Sequence, residues 1–476
     1  MDVKKFAGLS AIEMAGAVRR GEASPTELVN CALEAIAATE PAINAYCEVM
    51  GEAALAHAGR LEAQVRKGVF LGPLHGVPIA VKDLFQVKGT LTRRGSRHYE
   101  DSRSTETAPA VERLLAAGAI LVGKNTTPEL GWKASSNSPL YGVTRNPWEL
   151  SRTAGGSSSG SAACVAAGTV PLSLGSDGGG SLRIPAAFCG VFSLKASLGR
   201  VPTYPLSSSE HLSHAGPITN SVADCALALD VLKGPDARDP QSLPEEGISY
   251  LDSLEEPCTR FRCAFAPTLF GKPVQADIAA CVENAFDAIR RELAVDAVAA
   301  NLDWTDPIDM FDALWTARAS LYKSMDAGEK ARMDPGFARL IDRSAGISID
   351  DHLRTLQARA RFCRTLAESF RDFDLLLLPM VPIEPFAAER DGPAGMDPST
   401  AVPWARWTPF SYPFNLTGQP AAAIPCGWTT SGLPVGMQVV GRRFEDVNVL
   451  RFCAAWEKCF DWRQKRPTVF AGTRRQ

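Results

Sequence analysis

The spacing of apolar residues changes along the chain, and each change marks a different kind of element. Near the start, Leu28, Val29, Ala32 and Ile36 recur at helical spacing behind Ser24-Pro25-Thr26-Glu27, an S-x-x-E capping box with proline at the first helical position. Ser10 and Glu13 form a second box of the same kind. Two helices that pack on a core are predicted there. Further on, the apolar residues gather in short continuous runs, the pattern of strands covered on both faces. "GVPIAVKDLF" (Gly76 to Phe85) reads as such a strand, and "AVERLLAAGAILVGKN" (Ala110 to Asn125) as helix, glycine stop, strand and loop. Between about residues 234 and 346 helical spacing dominates, as in "DMFDALWTARASLYKSM", which predicts a mainly helical variable region. Strand character returns in "DLLLLP" (Asp374 to Pro379), "AAAIPCG" (Ala421 to Gly427) and "GLPVGMQVVG" (Gly432 to Gly441). Helices alternating with buried strands predict an α/β layered fold. With no repeat, low-complexity tract or long linker, one domain spanning 1–476 is the simplest organisation.

Composition narrows the function more than the fold. A chain of 476 residues with 45% hydrophobic content can bury a large core. Fifty basic against 53 acidic residues give a formal charge of −3, so no overall pull toward nucleic acid or a membrane surface is indicated. A small substrate is expected. The opening MDVKKFAGLS lacks the apolar stretch of a signal peptide, and no run approaches the roughly 18 apolar residues of a membrane span, so a cytoplasmic location is expected. The twelve cysteines form no C-x-x-C pair and the six histidines no H-E-x-x-H, which points to ordinary buried thiols, with neither a disulfide framework nor a metal site.

Three motif matches fail on context. Gly118 to Lys124 fits G-x-x-x-x-G-K, but Asn125 stands where a phosphate loop has Ser or Thr, and the intervening residues read as strand. Gly156 to Gly160 fits the G-x-S-x-G nucleophile elbow, yet the polar "NPWELSRTAG" precedes it instead of a buried strand. Ser320-x-x-Lys323 lies in a helical pattern without an accompanying K-T-G. What remains are two Gly/Ser clusters, "AGGSSSGSAA" (Ala154 to Ala163) and "GSDGGGSLRIP" (Gly175 to Pro185). A serine hydroxyl needs a base to attack at neutral pH, and no histidine lies near either cluster in sequence. A distant histidine brought in by the fold is one candidate. A neutral lysine is another, and Lys82 is the lysine set directly in a strand-like apolar run, where burial disfavours the ammonium form. The competing reading is that Lys82 snorkels to solvent from the strand end.

"GVPIAVKD", "GKNTTPELG", the block from "TRNPWELSRTAGGSSSGSAAC" through "GSDGGGSLRIPAAFCG" to "SLKASLGRV", and "NLTGQPAAAIPCG" followed by "GLPVGMQVVGRRFED" resemble, in order, the amidase signature family of serine hydrolases. The resemblance spans almost the whole chain. It implies a mixed β-sheet core covered by helices on both faces, an α/β/α sandwich. It implies a triad of Lys82, Ser157 and Ser181, with Ser157 placed by its separation of 24 residues from Ser181 and held after a non-proline cis peptide. Gly178, Gly179 and Gly180 would form the oxyanion hole, with Asp177 and Arg183 as support for that loop. The implied activity is cleavage of a carbon–nitrogen bond through a seryl acyl-enzyme, with no cofactor and no metal. The partner is a small-molecule amide; no nucleic acid or membrane is implied, and a homodimer is compatible with the family.

This sequence departs from the family at two places. Gly178 stands where many members carry Thr, which would loosen the loop, and Ser159 replaces a common glycine, which would add a local hydrogen bond. For substrate, Trp132, Trp404 and Trp407 fall in segments that border the acyl site in the family, which suggests an apolar or aromatic amide, anilide or carbamate; core packing is the competing reading for each. The main functional rival is the glutamine-hydrolysing component of a tRNA-dependent amidotransferase. That component carries a tyrosine-rich helix where this chain has "DDHLRTLQARARFCRTLAESFRDF", without tyrosine, so a stand-alone hydrolase is favoured. A non-catalytic binding protein on the same fold is disfavoured by the presence of all three triad residues.

Overall fold

The computed structural model describes residues 1–470 apart from positions 208, 210, 259 and 301. The capping boxes at Ser10/Glu13 and Ser24/Glu27 are formed, and they open helices Ala11–Arg19 and Pro25–Ile43. The centre is an eleven-stranded mixed sheet. In chain order its strands are β1 (Tyr46–Val49), β2 (Pro78–Lys82), β3 (Ile120–Asn125), β4 (Leu172–Asp177), β5 (Phe192–Lys195), β6 (His214–Thr219), β7 (Arg262–Phe265), β8 (Asp296–Ala299), β9 (Leu375–Pro379), β10 (Ala421–Trp428) and β11 (Pro434–Gly441). Across the sheet they run β1-β3-β2-β4-β6-β5-β10-β11-β9-β7-β8. Every residue of β2, β3, β9 and β11 is buried, which is why these strands read as continuous apolar runs.

Side-chain alternation along β11 shows helices on both faces. A Cβ at Gly436 would stand 2.6 Å from Ala187, in helix Arg183–Cys189, and Gln438, two residues on, bonds Arg183 of the same helix. Gly441 has the opposite parity, and a Cβ there would meet Val449 of helix Asp446–Cys459 at 2.6 Å. Helix Ser159–Ala166 is buried along its whole length, which only small residues permit: a Cβ at Gly160 would lie 2.1 Å from the Ala45 carbonyl oxygen.

The segment from 234 to 346 is richer than its helical spacing suggests. Besides helices Ala276–Glu292, Ile308–Ala317 and Pro335–Ser344 it contributes β7 and β8, which extend the sheet in parallel at one edge. Both strands are four residues long, and β8 is largely exposed, so neither leaves an apolar run to read. Among the described residues, no helix is long and apolar enough to cross a membrane.

β2 and β4 are parallel neighbours, with Val81 opposite Leu174. Their carboxyl ends, Lys82 and Asp177, therefore leave the sheet on the same side, where open α/β sheets bind ligands.

Candidate active site

Lys82 is fully buried, and its Nζ lies 2.7 Å from Ser157 Oγ, 3.0 Å from Ser176 Oγ and 3.1 Å from Ser158 Oγ. Its surroundings differ from those of Lys124, equally buried on the next strand, which pairs with Asp83 at 2.7 Å and donates to the Leu91 carbonyl at 2.7 Å and to Thr92 Oγ1 at 2.8 Å. Among the described residues, no carboxylate forms an ion pair with Lys82. Burial outweighs the attraction of nearby Asp177, Arg318 adds its repulsion, and the amine is held well below the ordinary lysine range. The peptide bond between Gly156 and Ser157 is cis. Gly156 packs so closely that a Cβ would stand 2.2 Å from the Ser135 carbonyl oxygen. The Ser158 amide donates to the Ser181 carbonyl at 3.2 Å, which ties the two Gly/Ser clusters together.

Asp177 ends β4 and organises the second cluster. Its Oδ1 accepts from the Gly180 amide at 2.7 Å and its Oδ2 from the Leu182 amide at 3.2 Å, so the carboxylate folds the glycine loop back on the strand. Arg183 donates to it through Nε at 2.9 Å and Nη2 at 3.0 Å. The remaining donors of that guanidinium go to the Ser411 carbonyl, Gln438 Oε1 and Asn415 Oδ1, which satisfies all five N–H groups of a completely buried arginine. Asn415 also donates to Asp177 Oδ1 at 2.8 Å. Burial alone would raise the Asp177 carboxyl; Arg183 and these hydrogen bonds reverse that and hold it below the ordinary carboxylate range.

The triple glycine is required by packing. A Cβ at Gly178 would lie 2.9 Å from the Trp315 ring, and one at Gly179 would lie 2.6 Å from Trp404 and 2.8 Å from Phe311. Gly180 has φ +125 and is backed by Ser411 at 2.7 Å. Three expectations change. Gly178 does not loosen the loop, because Trp315 occupies the space a side chain would need. The Gly180 amide, expected among the oxyanion donors, is committed to Asp177, whereas those of Gly178 and Gly179 carry no hydrogen bond to any described residue. The hydrogen bond expected of Ser159 is also not formed: its hydroxyl is buried without a partner, and neighbouring Ser158 makes the polar contacts instead.

Ser157, Ser176, Gly178 and Ser181 open on a cavity of about 250 Å³. The opposite wall comes from the helical region, through Trp315, Arg318, Leu321 and Tyr322. The three tryptophans expected in the pocket do not line it. Trp407 stacks on Phe188 at 6.1 Å, inside the core. Trp404 packs edge-on against Phe311 and Trp315 behind Gly179. Trp132 packs against Phe337 and reaches the site only through its carbonyl, which accepts from Trp315 Nε1 at 3.0 Å. Large aromatic side chains in the right segments are equally well used as core, and their type alone carries no direction. Sequence reading missed Ser411, Asn415 and Gln438, which come from distant parts of the chain. Gln438 did leave a signal, as a lone polar residue inside an apolar strand, since a buried amide must find partners.

This sheet, with a buried amine on serine hydroxyls and a braced glycine loop opening on one cavity, places the protein among hydrolases of carbon–nitrogen bonds. Residues 27–450 match the family model described as Amidase, and the chain belongs to the amidase signature family. It is 35% identical to an acylamidase of Rhodococcus erythropolis, over 96% of this chain and 97% of that one. It is 34% identical to the A component of the glutamyl-tRNA(Gln) amidotransferase of Chloroflexus aggregans, over 95% of this chain and 96% of that one. Among solved structures it resembles a bacterial aryl acylamidase of the amidase signature family, with TM-score 0.88 and 29% identity over 96% of this chain and 97% of that one. It also resembles 6-aminohexanoate cyclic dimer hydrolase, with TM-score 0.89 and 27% identity over 97% and 99% of the two chains.

Proposed function

We propose that this protein is a stand-alone amidase that cleaves a small carboxamide, anilide or carbamate with an apolar or aromatic body, through an acyl-enzyme on Ser181. The observation that carries the reading is a fully buried amine, 2.7 Å from Ser157 Oγ, that forms no ion pair with a carboxylate among the described residues. Neutral Lys82 accepts the proton of Ser157, and Ser157 takes the proton of Ser181 as its Oγ attacks the carbonyl carbon. Negative charge develops on the carbonyl oxygen, and the amides of Gly178 and Gly179 are the free donors that stabilise it. The tetrahedral intermediate collapses, the C–N bond breaks, and the proton returns through Ser157 to the leaving nitrogen. Water then attacks the ester along the same route in reverse. Lys82 and Ser157 carry each proton between Ser181, the leaving nitrogen and the attacking water, so the proposed cycle calls on no cofactor or metal.

The apolar body is supported by Leu84, Phe85, Leu130, Tyr204, Trp315 and Tyr322 on the cavity wall, and by similarity to an acylamidase and an aryl acylamidase. We read the chain as one catalytic domain acting in the cytoplasm. Purified protein assayed against aryl anilides, aliphatic amides, aryl carbamates and glutamine tests the reading. Turnover of an anilide, amide or carbamate that disappears in Ser181→Ala is the expected result; turnover of glutamine alone would favour the amidotransferase role instead.

A further inference from the structure

The cavity holds more positive charge than the proposed chemistry uses. Arg318 and Arg94 both line it, together with Ser157 and Ser181. Arg318 spends one N–H on the Leu130 carbonyl, at 2.8 Å, and its guanidinium lies 4.3 Å over the Trp315 ring. Arg94 lies 4.8 Å over the ring of Tyr99, whose hydroxyl bonds that of Tyr322 at 3.4 Å, so the two cations flank one aromatic wall. Among the described residues neither guanidinium has a carboxylate partner. The contrast with Arg183, whose five donors are all satisfied, is sharp. Asp177 and His214 also face the cavity, and neither compensates. Asp177 has both oxygens taken by Arg183, Asn415 and the loop amides. His214 is held well below its ordinary range, first by burial and then by the nearby Lys195. A guanidinium lowered by burial to about 10 remains a cation at neutral pH, and half-buried guanidinium groups without a carboxylate partner leave donors on the cavity wall that an anionic ligand can take.

We infer that the substrate carries an anionic group, in the simplest case a carboxylate, which binds between Arg318 and Arg94 while its amide carbonyl reaches Ser181. Planar guanidinium donors match a carboxylate two at a time, and the aromatic faces beneath them hold the forks in orientation. The same wall disfavours a zwitterionic amino acid. Among the described residues, no unspent carboxylate lines the cavity to receive an ammonium, and two arginines repel it. The substrate is therefore an amide with an apolar body and one acidic end. This rests on the proposed amidase reading and sharpens its substrate class.

The test uses matched pairs differing only in charge: the monoanilide of glutaric acid beside pentananilide for the acyl side, and 3-acetamidobenzoate beside 3-methylacetanilide for the leaving side. In at least one pair, kcat/KM should favour the anion by about 10–100-fold at low salt, with the preference shrinking as ionic strength rises. In Arg318→Gln that ratio should fall to near one, and Arg318→Lys should restore part of it. Taking the ratio within each preparation cancels any general loss from misfolding or from a shifted Lys82. If Arg318 serves only to depress Lys82, both members of each pair slow alike and the pH profile moves; that result, or a preference for the neutral member of both pairs, overturns the inference. If no amide is hydrolysed, calorimetric binding of the same pairs to Ser181→Ala decides: tighter binding of an anion upholds the anion site while the amidase reading falls, and equal or weaker binding overturns both.

Discussion

Replacing Lys82 by methionine separates the chemistry of the buried amine from its contribution to folding. Under the proposed proton route the amine is neutral at pH 7 in the fold, whereas in the unfolded chain a lysine is an ammonium with a pKa of about 10.4. Each pH unit in between is worth about 1.36 kcal/mol, so folding the wild type at pH 7 carries a penalty of about 4–5 kcal/mol. Methionine, unbranched and apolar, removes it. Opposing this, three hydrogen bonds of 2.7, 3.0 and 3.1 Å are lost. Ser158 keeps its bonds to the backbone of Ser176, at 3.1 and 3.2 Å. Ser157 and Ser176 face the cavity, where water can replace the amine, so the loss is about 1–3 kcal/mol. Lys82→Met should therefore be more stable than the wild type by about 2 kcal/mol at pH 7, while kcat/KM for amides falls about 10²–10⁴-fold. Between the folded and unfolded pKa values the unfolded chain binds the extra proton, so wild-type stability rises with pH and the advantage of the variant shrinks toward the ordinary lysine pKa. Denaturant unfolding between about pH 6 and pH 9, with unchanged m-values, reads this directly. A variant less stable by the same margin at every pH, or an advantage that grows with pH, would mean an ammonium in the folded protein and would refute neutral Lys82 as the base.

Other sites give sharper structural contrasts. Gly179→Ala puts a methyl 2.6 Å from Trp404 and 2.8 Å from Phe311; displacing that amide should lower kcat by about 10²–10³-fold, beyond an overpacking cost of about 1–3 kcal/mol read from the unfolding midpoint. Asp177→Asn removes the charge opposite the buried Arg183 and should cost about 3–5 kcal/mol at neutral pH. Because the folded carboxyl is held below its ordinary range, that stabilisation is present above the ordinary value and is lost as pH falls through the folded one, so the two proteins should converge only in strong acid. Trp407→Leu, within the core, should lower the melting temperature while leaving the ranking of substrates unchanged. Trp315→Leu, on the cavity wall, should change that ranking; an unchanged ranking would place substrate elsewhere.

What was legible in the sequence follows from how locally each feature is encoded. The capping boxes at Ser10 and Ser24 act within one helical turn, and both are formed. Strands covered on both faces, such as Ile120–Asn125 and Leu375–Pro379, leave apolar runs that survive without knowledge of neighbours. The four-residue strands Arg262–Phe265 and Asp296–Ala299 leave none and depend on pairing across the sheet edge. Lys82 stands out as a lysine closing the apolar strand run Pro78–Lys82. Arg318 does not: in a helical stretch an arginine is ordinarily solvated, and only the approach of residues 315–322 to the carboxyl end of the sheet turns it toward the cavity. The expected tryptophans failed for the same reason, since Trp404 and Trp407 differ from Trp315 in direction and not in type.

The glycine loop also explains why a buried ion pair is tolerated beside the candidate nucleophile. An Asp–Arg pair removed from water is often no more stabilising than a well-packed apolar pair of similar volume, so stability alone does not account for Asp177 and Arg183. An apolar pair, however, could not accept from the amides of Gly180 and Leu182. Those two bonds pin the loop on both sides of Ser181 and leave the amides of Gly178 and Gly179 without an acceptor among the described residues. Arg183 then fixes the carboxylate from one side and reaches Gln438 on β11 and Asn415 on the other, so the orientation of two free N–H groups is set by rigid elements far apart in the chain. Preorganised donors of this kind need no rearrangement when charge appears on a carbonyl oxygen, which is the condition under which they stabilise it most. The desolvation of one ion pair is thus exchanged for a loop already in place before substrate arrives.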